Sequence, residues 1–492
     1  MTPDAADYDP LECRRALEAL RSGVPNRNAV AILGCHQPAI QRRFDEMLTA
    51  AASTGDSGGN GGGMLVSGDF GAGKSHLLAH LEHEALAQGF VCSTVAVSKE
   101  TPLYNLDKVF KSAVENSRMP ERRGRLIEEL GQALDTRSER YSDFFRWSDS
   151  AASGLNPIFP ASLLVYERSD DPELSREIED FWAGDRLLKS RVNAGLREIG
   201  QLANYSFRAA KAAELPPQRL QFLAQLIRAT GHKGWVVLLD EIELVGQYSI
   251  LQRARSYSEL ARWFGRVAGQ SHPGLAVVAT VTDDFALKII SPDGTKKDRD
   301  YVAARLASRY QHLTGPAETG MDTLERGAVP LTEPSDDDVA ATLETLRRLY
   351  SRAYGWNASD LPPARRGAGE QNRMRYRVRA AISEWDLRRL YPEYKPEIVE
   401  EEFRHSYEED PDLQRESPAG EEGDPTRTAD DEDTVDPGRE SPEVEEGDTT
   451  DRAGHGESIE PGRESLSEAD APVAGDSTAG PPAPPGAAIA PA

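Results

Sequence analysis

The chain has 492 residues and a formal net charge of −25, and this length suggests two to four domains. Residues 401–492 hold 27 Asp and Glu against 6 Arg and no Lys, so 21 of the excess negative charges lie in this tail. Residues 1–400 are therefore nearly neutral. This charge balance excludes a protein that is basic overall, as many nucleic-acid-binding proteins are. A local basic patch is still compatible with it.

The three cysteines, Cys13, Cys35 and Cys92, lie far apart and show no Cys-x-x-Cys or Cys/His spacing typical of a metal site. We expect ordinary reduced thiols, and we interpret the pair Cys35-His36 as chance neighbours. The first ten residues are polar and acidic and lack the apolar core of a signal peptide. No run of 18 apolar residues is present. We therefore expect a cytoplasmic protein with no membrane span.

The spacing of apolar residues predicts an alternation of strands and helices along the chain. In chain order, predicted helices cover 11–22, 37–51, 76–88, 257–267, 302–309, 335–352 and 375–390. Predicted strands cover 64–68, 91–97, 235–239, 275–281 and 328–331. Residues 105–229 read as mainly helical, with a loop near 150–160. Buried parallel strands that alternate with helices are typical of a three-layer α/β fold.

This pattern predicts a three-layer α/β core with additions. The predicted segments are an N-terminal helical segment at 11–54, a Gly-rich loop at 55–63, a core at 64–110 and 230–332, a mainly helical insertion at 111–229, a small helical lid at 333–400 and an acidic tail at 405–492. The sequence GDSGGNGGG in residues 55–63 is too rich in glycine to pack, so we expect a flexible loop there.

The tail repeats itself with a period of 24 residues, because residues 415–438 and 439–462 share RESP, EEGD and a closing Pro-Gly. A fixed period can indicate a solenoid. These repeats contain almost no apolar residues and cannot bury a core, so we predict that the tail is disordered.

The segment GDFGAGKS fits the phosphate-binding pattern G-x-x-x-x-G-K-[ST] in full, between a predicted strand and a predicted helix. Its residues are Gly68, Asp69, Phe70, Gly71, Ala72, Gly73, Lys74 and Ser75. The glycines let the main-chain amides turn towards phosphates, and the helix N-terminus adds its dipole. We expect Lys74 to reach the β- and γ-phosphates of ATP and the Ser75 hydroxyl to ligate Mg²⁺.

The segment WVVLLDEIE places two carboxylates at the end of a buried strand, where open α/β sheets bind ligands. We expect Asp240 to hold Mg²⁺ through water and Glu241 to act as the general base on the attacking water. Glu243 is interpreted as a structural or coupling carboxylate. Together with the phosphate loop, the pair predicts Mg²⁺-dependent ATP hydrolysis in an additional-strand P-loop core.

Other polar residues are candidates for contacts with the γ-phosphate. Thr280 or Thr282 ends the next predicted strand, with Thr282 nearer its end. Arg305 and Arg309 are spaced to lie on one helical face and could act in a neighbouring subunit's site, as could Arg253 and Arg255. The alternatives are local hydrogen bonds for the threonines and a solvated basic face for the arginines.

A late helical segment is rich in arginine, at positions 373, 375, 377, 379, 388 and 389. One of the first four arginines could close over the phosphates from the lid, and we take Arg375 as the candidate. The alternative is a basic helix that faces solvent or nucleic acid.

These features together resemble AAA+ ATPases of the initiator (ORC-like) or STAND-related type. Residues 24–27, VPNR, are similar to the adenine-pocket segment of such proteins, which implies that Asn26 and Arg27 contact the nucleotide. Longer stretches resemble the BREX-system ATP-binding proteins of the BrxC/BrxD P-loop family. They are ALRSGVPNRNAVAILG, FGAGKSHLL, SKETPLYNLDKVF, WVVLLDEIELVGQYSILQRARSY and ELARWFG, within roughly residues 11–395.

The resemblance implies a bacterial ATPase that works with other proteins of a phage-defence complex, as a homo- or hetero-oligomer. Two features depart from the family pattern, namely the separation of Lys74 and Asp240 by 166 positions and the acidic repeat tail. The large insertion puts standard ring contacts, and with them Arg305 and Arg309, in doubt. Two alternatives remain, a slow ATP-dependent switch or scaffold and an initiator-like DNA-binding ATPase. A metabolite kinase is a weaker alternative, because no acceptor site is recognisable.

Deletion of the chain from Glu408 onwards should leave the melting temperature unchanged, because a segment with so few apolar residues buries nothing. Thermal unfolding of the full and shortened chains measures this. A clear drop in the melting temperature of the shortened chain would show that the tail packs on the core.

Overall fold

A computed structural model describes residues 9–22, 27–53, 61–205, 211, 214–268, 272–307, 309–360 and 374–393. The predicted tail at 405–492 and most of the predicted Gly-rich loop lie outside these residues. Within the described ranges, no helix combines the length and apolar character needed to cross a lipid bilayer.

A six-stranded sheet forms the centre of the described protein, which confirms the predicted α/β class. Its strands are β1 (Gly62–Ser67), β2 (Val91–Ala96), β3 (Ser117–Arg118), β4 (Trp235–Asp240), β5 (Leu275–Val281) and β6 (Ala328–Pro330). Their order across the sheet is β3-β2-β4-β5-β1-β6, and only β3 runs antiparallel to its neighbour. The carboxyl ends of the five parallel strands therefore meet at one edge.

Sixteen helices of the described chain surround the sheet. They are α1 (Pro10–Ser22), α2 (Arg27–Leu33), α3 (Pro38–Ala52), α4 (Lys74–Ala87), α5 (Leu106–Glu115), α6 (Leu126–Ala133), α7 (Glu139–Ser148), α8 (Ile158–Arg168), α9 (Pro172–Ala183), α10 (Lys189–Glu198), α11 (Leu215–Ala229), α12 (Ile250–Trp263), α13 (Asp298–Leu306), α14 (Thr314–Arg326), α15 (Asp336–Tyr354) and α16 (Met374–Leu390).

The sheet is buried on both faces because successive side chains of each strand point to opposite sides. Val236 and Leu238 of β4 pack with α3 and α4 in one core. Val237 and Leu239 of the same strand join a larger core on the other face, with α5, α6 to α12 and α14. Continuous apolar strands such as β4 are expected where both faces are covered.

The helical insertion belongs to the larger core. Arg219 of α11 is buried, and its guanidinium lies 3.2 Å from Asp107 of α5 and 5.1 Å from the ring centroid of Phe181 in α9. Phe222 of α11 packs against Trp182 of α9, with ring centroids 5.6 Å apart. A buried cation is tolerated only when paired and hydrogen-bonded, so these contacts fix α9 and α11 against α5.

A third core joins the two ends of the described chain. Cys13 and Leu17 of α1 pack with Tyr350 of α15 and Trp385 of α16. Arg21 of α1 also pairs with Asp386 of α16 at 2.5 Å. The segment predicted as one N-terminal unit is thus divided, since α1 and α2 pack with the predicted lid helices whereas α3 packs on the sheet.

Several element boundaries differ from the predictions. Strand β1 begins at Gly62, so the last two glycines of the predicted flexible loop belong to the sheet. A Cβ on Gly63 would lie 2.0 Å from Cγ of Phe264, so glycine here permits close packing rather than flexibility. Helix α12 starts at Ile250, seven residues before the predicted start, because Ser249 and Gln252 form a capping box. Helix α8 starts at Ile158, inside the predicted 150–160 loop, with Pro160 tolerated in its first turn.

Substitution Gly63→Ala should lower the free energy of unfolding by about 1–3 kcal/mol, the usual cost of overpacking a filled core. Chemical denaturation of both proteins measures the change. Gly315→Ala is the matched control, because a Cβ at this position in α14 meets nothing within 4 Å. Equal stability of the Gly63→Ala and wild-type proteins would contradict the packing explanation.

Candidate functional site

The loop between β1 and α4 carries the GDFGAGKS segment. Gly71 and Gly73 have φ of +81° and +103°, a conformation that side chains with a Cβ rarely adopt. Lys74 and Ser75 then form the first turn of α4, a helix of 14 residues. A helix N-terminus that opens directly from a glycine turn presents unpaired amides and a positive dipole end, which suits an anion.

The Lys74 ammonium is buried within this loop. Its Nζ donates to the carbonyl oxygens of Gly68 at 2.8 Å and Asp69 at 3.3 Å, and lies 3.8 Å from Oε1 of Glu243. Burial raises the pKa of Glu243, and the positive charge of Lys74 opposes that rise. Oε2 of Glu243 is buried and has no hydrogen-bond partner among the described residues. The loop is therefore held through an ion pair that is only partly satisfied.

The carboxylate of Asp240, at the end of β4, connects three parts of the site. Its Oδ2 accepts a hydrogen bond from the Ser75 hydroxyl at 2.7 Å. Its Oδ1 accepts from the Thr280 hydroxyl on β5 and from the Glu241 amide at 3.0 Å. The Ser75 hydroxyl and the Asp240 carboxylate thus lie side by side, as required of two oxygens that share one cation.

Glu241 has a left-handed main chain, with φ of +63° and ψ of +36°. This conformation is uncommon for residues other than glycine and costs roughly 1–3 kcal/mol, and it is concentrated at functional sites. The side chain of Glu241 is exposed and borders the cavity described next.

A cavity of about 460 Å³ extends from the phosphate loop to the helices of the third core. At one end it is lined by residues 70–77 together with Asp240, Glu241 and Glu243. The rest of the lining, called the apolar end below, includes the apolar side chains of Leu20, Leu33, Met374 and Val378 and residues 34–37. Leu331 also lines the cavity and lies beside Gly68 of the phosphate loop. Such a cavity suits an elongated ligand with an anionic end and an apolar, flat end.

Comparison with known proteins agrees with this geometry. A sequence model of the family described as BREX system ATP-binding protein BrxC/D matches residues 10–129 and 216–363, more than half of the chain. The chain belongs to the BrxC/D family. The match includes the phosphate loop, β4 and β5, and it leaves out residues 130–215, where α7 to α10 lie. No curated protein and no solved structure matches the chain.

The residues of this BrxC/D chain also suit the magnesium ion that accompanies a bound nucleotide. Within the described ranges no cluster of three or more His, Cys, Asp or Glu side chains could hold a metal by itself. Mg²⁺ in nucleotide sites needs only one or two protein oxygens, because phosphate oxygens and water supply the rest. Ser75 and Asp240, 2.7 Å apart, provide that donor set.

The two threonine candidates differ in position. Thr280 is fully buried and its hydroxyl donates to Asp240, whereas the carbonyl of Thr282 accepts from the Phe285 amide at 3.2 Å. Neither threonine lines the cavity. Thr280 points to the same face of β5 as its register partner Val66 does on β1, and the sequence alone did not separate it from Thr282.

The arginine candidates are also dispersed. Helix α13 ends at Leu306, so Arg305 and Arg309 do not share one helical face, and that prediction is wrong. Both side chains are exposed and neither lines the cavity. Arg375, in the first turn of α16, does line it. Of the predicted adenine-pocket residues, Arg27 is the first residue of α2 and Asn26 lies outside the described residues.

Arg253 has a structural role instead of a role in a neighbouring site. Only 2% of it is exposed, and its guanidinium donates two hydrogen bonds of 2.7 Å to the fully buried carboxylate of Asp298. The Tyr257 hydroxyl donates to the same carboxylate at 2.6 Å. Arg255, two residues on, instead lies over the ring of Tyr104 at 5.6 Å.

Sequence reasoning missed the apolar end of the cavity and residues 34–37. The signal was present in part, because Gly34 and Pro38 bracket a short polar segment directly before α3, a typical loop pattern. The sequence suggested that Arg375 could close over the phosphates, but it did not indicate that Met374 and Val378 of the same helix line the cavity together with residues 34–37.

Substitution Arg253→Ala should destabilise the fold by about 3–5 kcal/mol, because it leaves the Asp298 carboxylate buried and unpaired. Arg255→Ala should cost less than about 1 kcal/mol, as expected for a partly exposed cation–π contact. Thermal or chemical unfolding of both variants measures the contrast. Similar losses in the two variants would rule out the assigned role of Arg253.

Proposed function

We propose that this BrxC/D chain binds ATP with Mg²⁺ and hydrolyses it. The observation that carries the proposal is a single cavity that joins the phosphate loop and the Asp240-Glu241 pair to an apolar end. The family description, BREX system ATP-binding protein, supports ATP as the ligand. The position of β5 between β1 and β4 agrees with the additional-strand core that the sequence predicts.

Each residue at the phosphate-loop end of the cavity is then assigned a function. When ATP binds, the Lys74 ammonium leaves the carbonyls of Gly68 and Asp69 and contacts the terminal phosphates, where it offsets negative charge. Ser75 and Asp240 hold Mg²⁺, which supplies further charge neutralisation when bound. Thr280 orients the Asp240 carboxylate through its hydrogen bond.

Glu241 is the proposed general base. It directly follows Asp240, it is exposed to the cavity, and its left-handed main chain turns it away from the strand direction. A carboxylate at this position can accept a proton from the water that attacks the γ-phosphate. Glu243 is less suited to this task, because it is buried beside Lys74.

One observation favours a slow-turnover switch as the second candidate. The Lys74 ammonium is engaged by two loop carbonyls and by Glu243, and these contacts must be exchanged before phosphates occupy the loop. Such a site can couple the binding of ATP to a change of conformation, rather than to rapid ATP hydrolysis. The ATPase rate with and without duplex DNA separates this switch from a motor or a DNA-dependent ATPase.

The family also suggests the setting of this activity. We propose that the chain acts in a bacterial phage-defence complex, with other proteins of that complex as its partners and in an oligomeric form. Copurification of the tagged chain with the products of neighbouring genes tests the partners, and light scattering with and without ATP tests the oligomeric state.

Substitution Lys74→Ala should weaken ATP binding on the order of 100-fold, because charge-assisted contacts to the phosphates are lost. Glu241→Gln should keep ATP affinity and lower kcat by roughly 10²–10⁴, since an amide cannot accept the proton. Calorimetric titration and phosphate release measure the two effects. Glu128→Gln, at an exposed carboxylate that does not line the cavity, is the control. Wild-type turnover in the Glu241→Gln enzyme would refute the assignment of the base.

A further inference from the structure

The carboxylate of Glu243 lies beside the phosphate loop with only part of the bonding that a buried charge requires. Only 5% of the residue is exposed, and Oε1 lies 3.8 Å from the Lys74 ammonium. That distance makes an ion pair rather than a hydrogen bond. Oε2 has no hydrogen-bond partner among the described residues, although Glu243 lines the cavity. The negative charge of Glu243 therefore depends chiefly on one cation.

The surroundings of Glu243 make that dependence strong. Burial raises the pKa of Glu243, the Lys74 ammonium opposes the rise, and the carboxylates of Asp240 and Glu241 add to it. Lys74 reaches Glu243 from α4, whereas the two carboxylates stand at the end of β4, directly before the short helical turn Ile242–Gln247 that carries Glu243. A ligand that draws the ammonium away leaves Glu243 buried among negative charges.

The proposed ligand is of this kind. The Lys74 ammonium now donates to the carbonyls of Gly68 and Asp69, and in the proposed function it contacts the terminal phosphates instead. The magnesium complex of ATP is itself an anion, so it also brings negative charge to this end of the cavity. A buried carboxylate that loses its cation and gains anionic neighbours binds a proton more tightly. Because Glu243 lines the cavity, that proton can come from solvent.

We propose that Glu243 and the terminal phosphates compete for the Lys74 ammonium, and that Glu243 takes up a proton from solvent when the phosphates bind. The inference rests on the proposed ATP binding and adds a regulatory role for Glu243, which the sequence left as a structural or coupling carboxylate. Departure of the phosphates returns the ammonium to Glu243 and the proton to solvent. Glu243 acts through Lys74, so it is a positioning residue and not a catalytic one.

Calorimetric titration of the full chain with MgATP, in two buffers of different ionisation enthalpy, measures the proton uptake. Wild type should take up roughly 0.5–1 proton per ATP near neutral pH, and Glu243→Gln should take up none, since an amide does not titrate there. Glu243→Gln should also bind ATP about tenfold more tightly, because the empty loop then holds Lys74 without a counter-charge. Inorganic tripolyphosphate with Mg²⁺ should reproduce both effects, because only the phosphates compete for Lys74.

Glu259→Gln is the matched control, because Glu259 is a largely buried carboxylate that lies 3.0 Å from its partner Arg262 and does not line the cavity. It should match wild type in ATP affinity and in proton uptake. Glu243→Asp keeps a carboxyl group that titrates, so it should retain the proton uptake. This variant replaces Glu243→Gln in the test if the latter folds poorly.

Three results would overturn the role of Glu243. They are ATP binding by wild type without proton uptake, equal uptake in wild type and a folded Glu243→Gln chain, and loss of the uptake in Glu243→Asp. A wild-type chain that binds neither ATP nor tripolyphosphate would instead overturn the proposed function itself.

Discussion

The candidate site depends on the hydrogen bonds that the Asp240 carboxylate accepts from Ser75, Thr280 and the Glu241 amide. The two hydroxyls come from segments more than 200 residues apart in the chain. They meet because β1, β5 and β4 are parallel neighbours whose ends are aligned, with Ser67 opposite Val281 and Leu239 opposite Ala279. The register of a sheet that is buried on both faces is strongly specified by its apolar side chains. The position of Asp240, a proposed cation ligand, is thus determined by the packing of the sheet.

The ion pair between Lys74 and Glu243 is the least satisfied interaction at this site. Both groups are buried, they lie 3.8 Å apart, and one oxygen of Glu243 has no hydrogen-bond partner among the described residues. A buried carboxylate in this state costs free energy that a fully bonded pair would not. Local conflicts of this kind are expected where function requires an exchange of partners. The contact therefore connects the stability of the loop to the binding of phosphates.

The long separation of Lys74 and Asp240 has a simple structural explanation. The chain leaves the sheet at β3, an edge strand, and returns at β4 after α6 to α11. An insertion at an edge leaves the order of β2, β4, β5 and β1 intact. Its aromatic side chains and the buried Arg219 then join the core on one face of the sheet. Residues 130–215, which hold α7 to α10, lie outside the family match.

The sequence by itself determined the α/β class, the phosphate loop and the acidic end of β4. These features depend on local patterns, namely glycines that allow positive φ, an apolar run long enough for a buried strand, and the residues directly after it. The boundaries of helices and strands were predicted less well, because the capping box at Ser249 and the close packing of Gly63 on Phe264 outweighed the simple pattern of apolar residues.

Only the tertiary structure decided which distant residues share the cavity. It placed the Thr280 hydroxyl against the Asp240 carboxylate and paired Arg253 with the buried Asp298. It also brought Met374 and Val378 of α16 to the same cavity as the loop after α2. Each of these outcomes depends on contacts between segments far apart in the chain, where burial and pairing compete among many possible partners. The spacing of residues in the sequence does not show which of these partners will pair. The phosphate loop, in contrast, is specified almost entirely by neighbours along the chain.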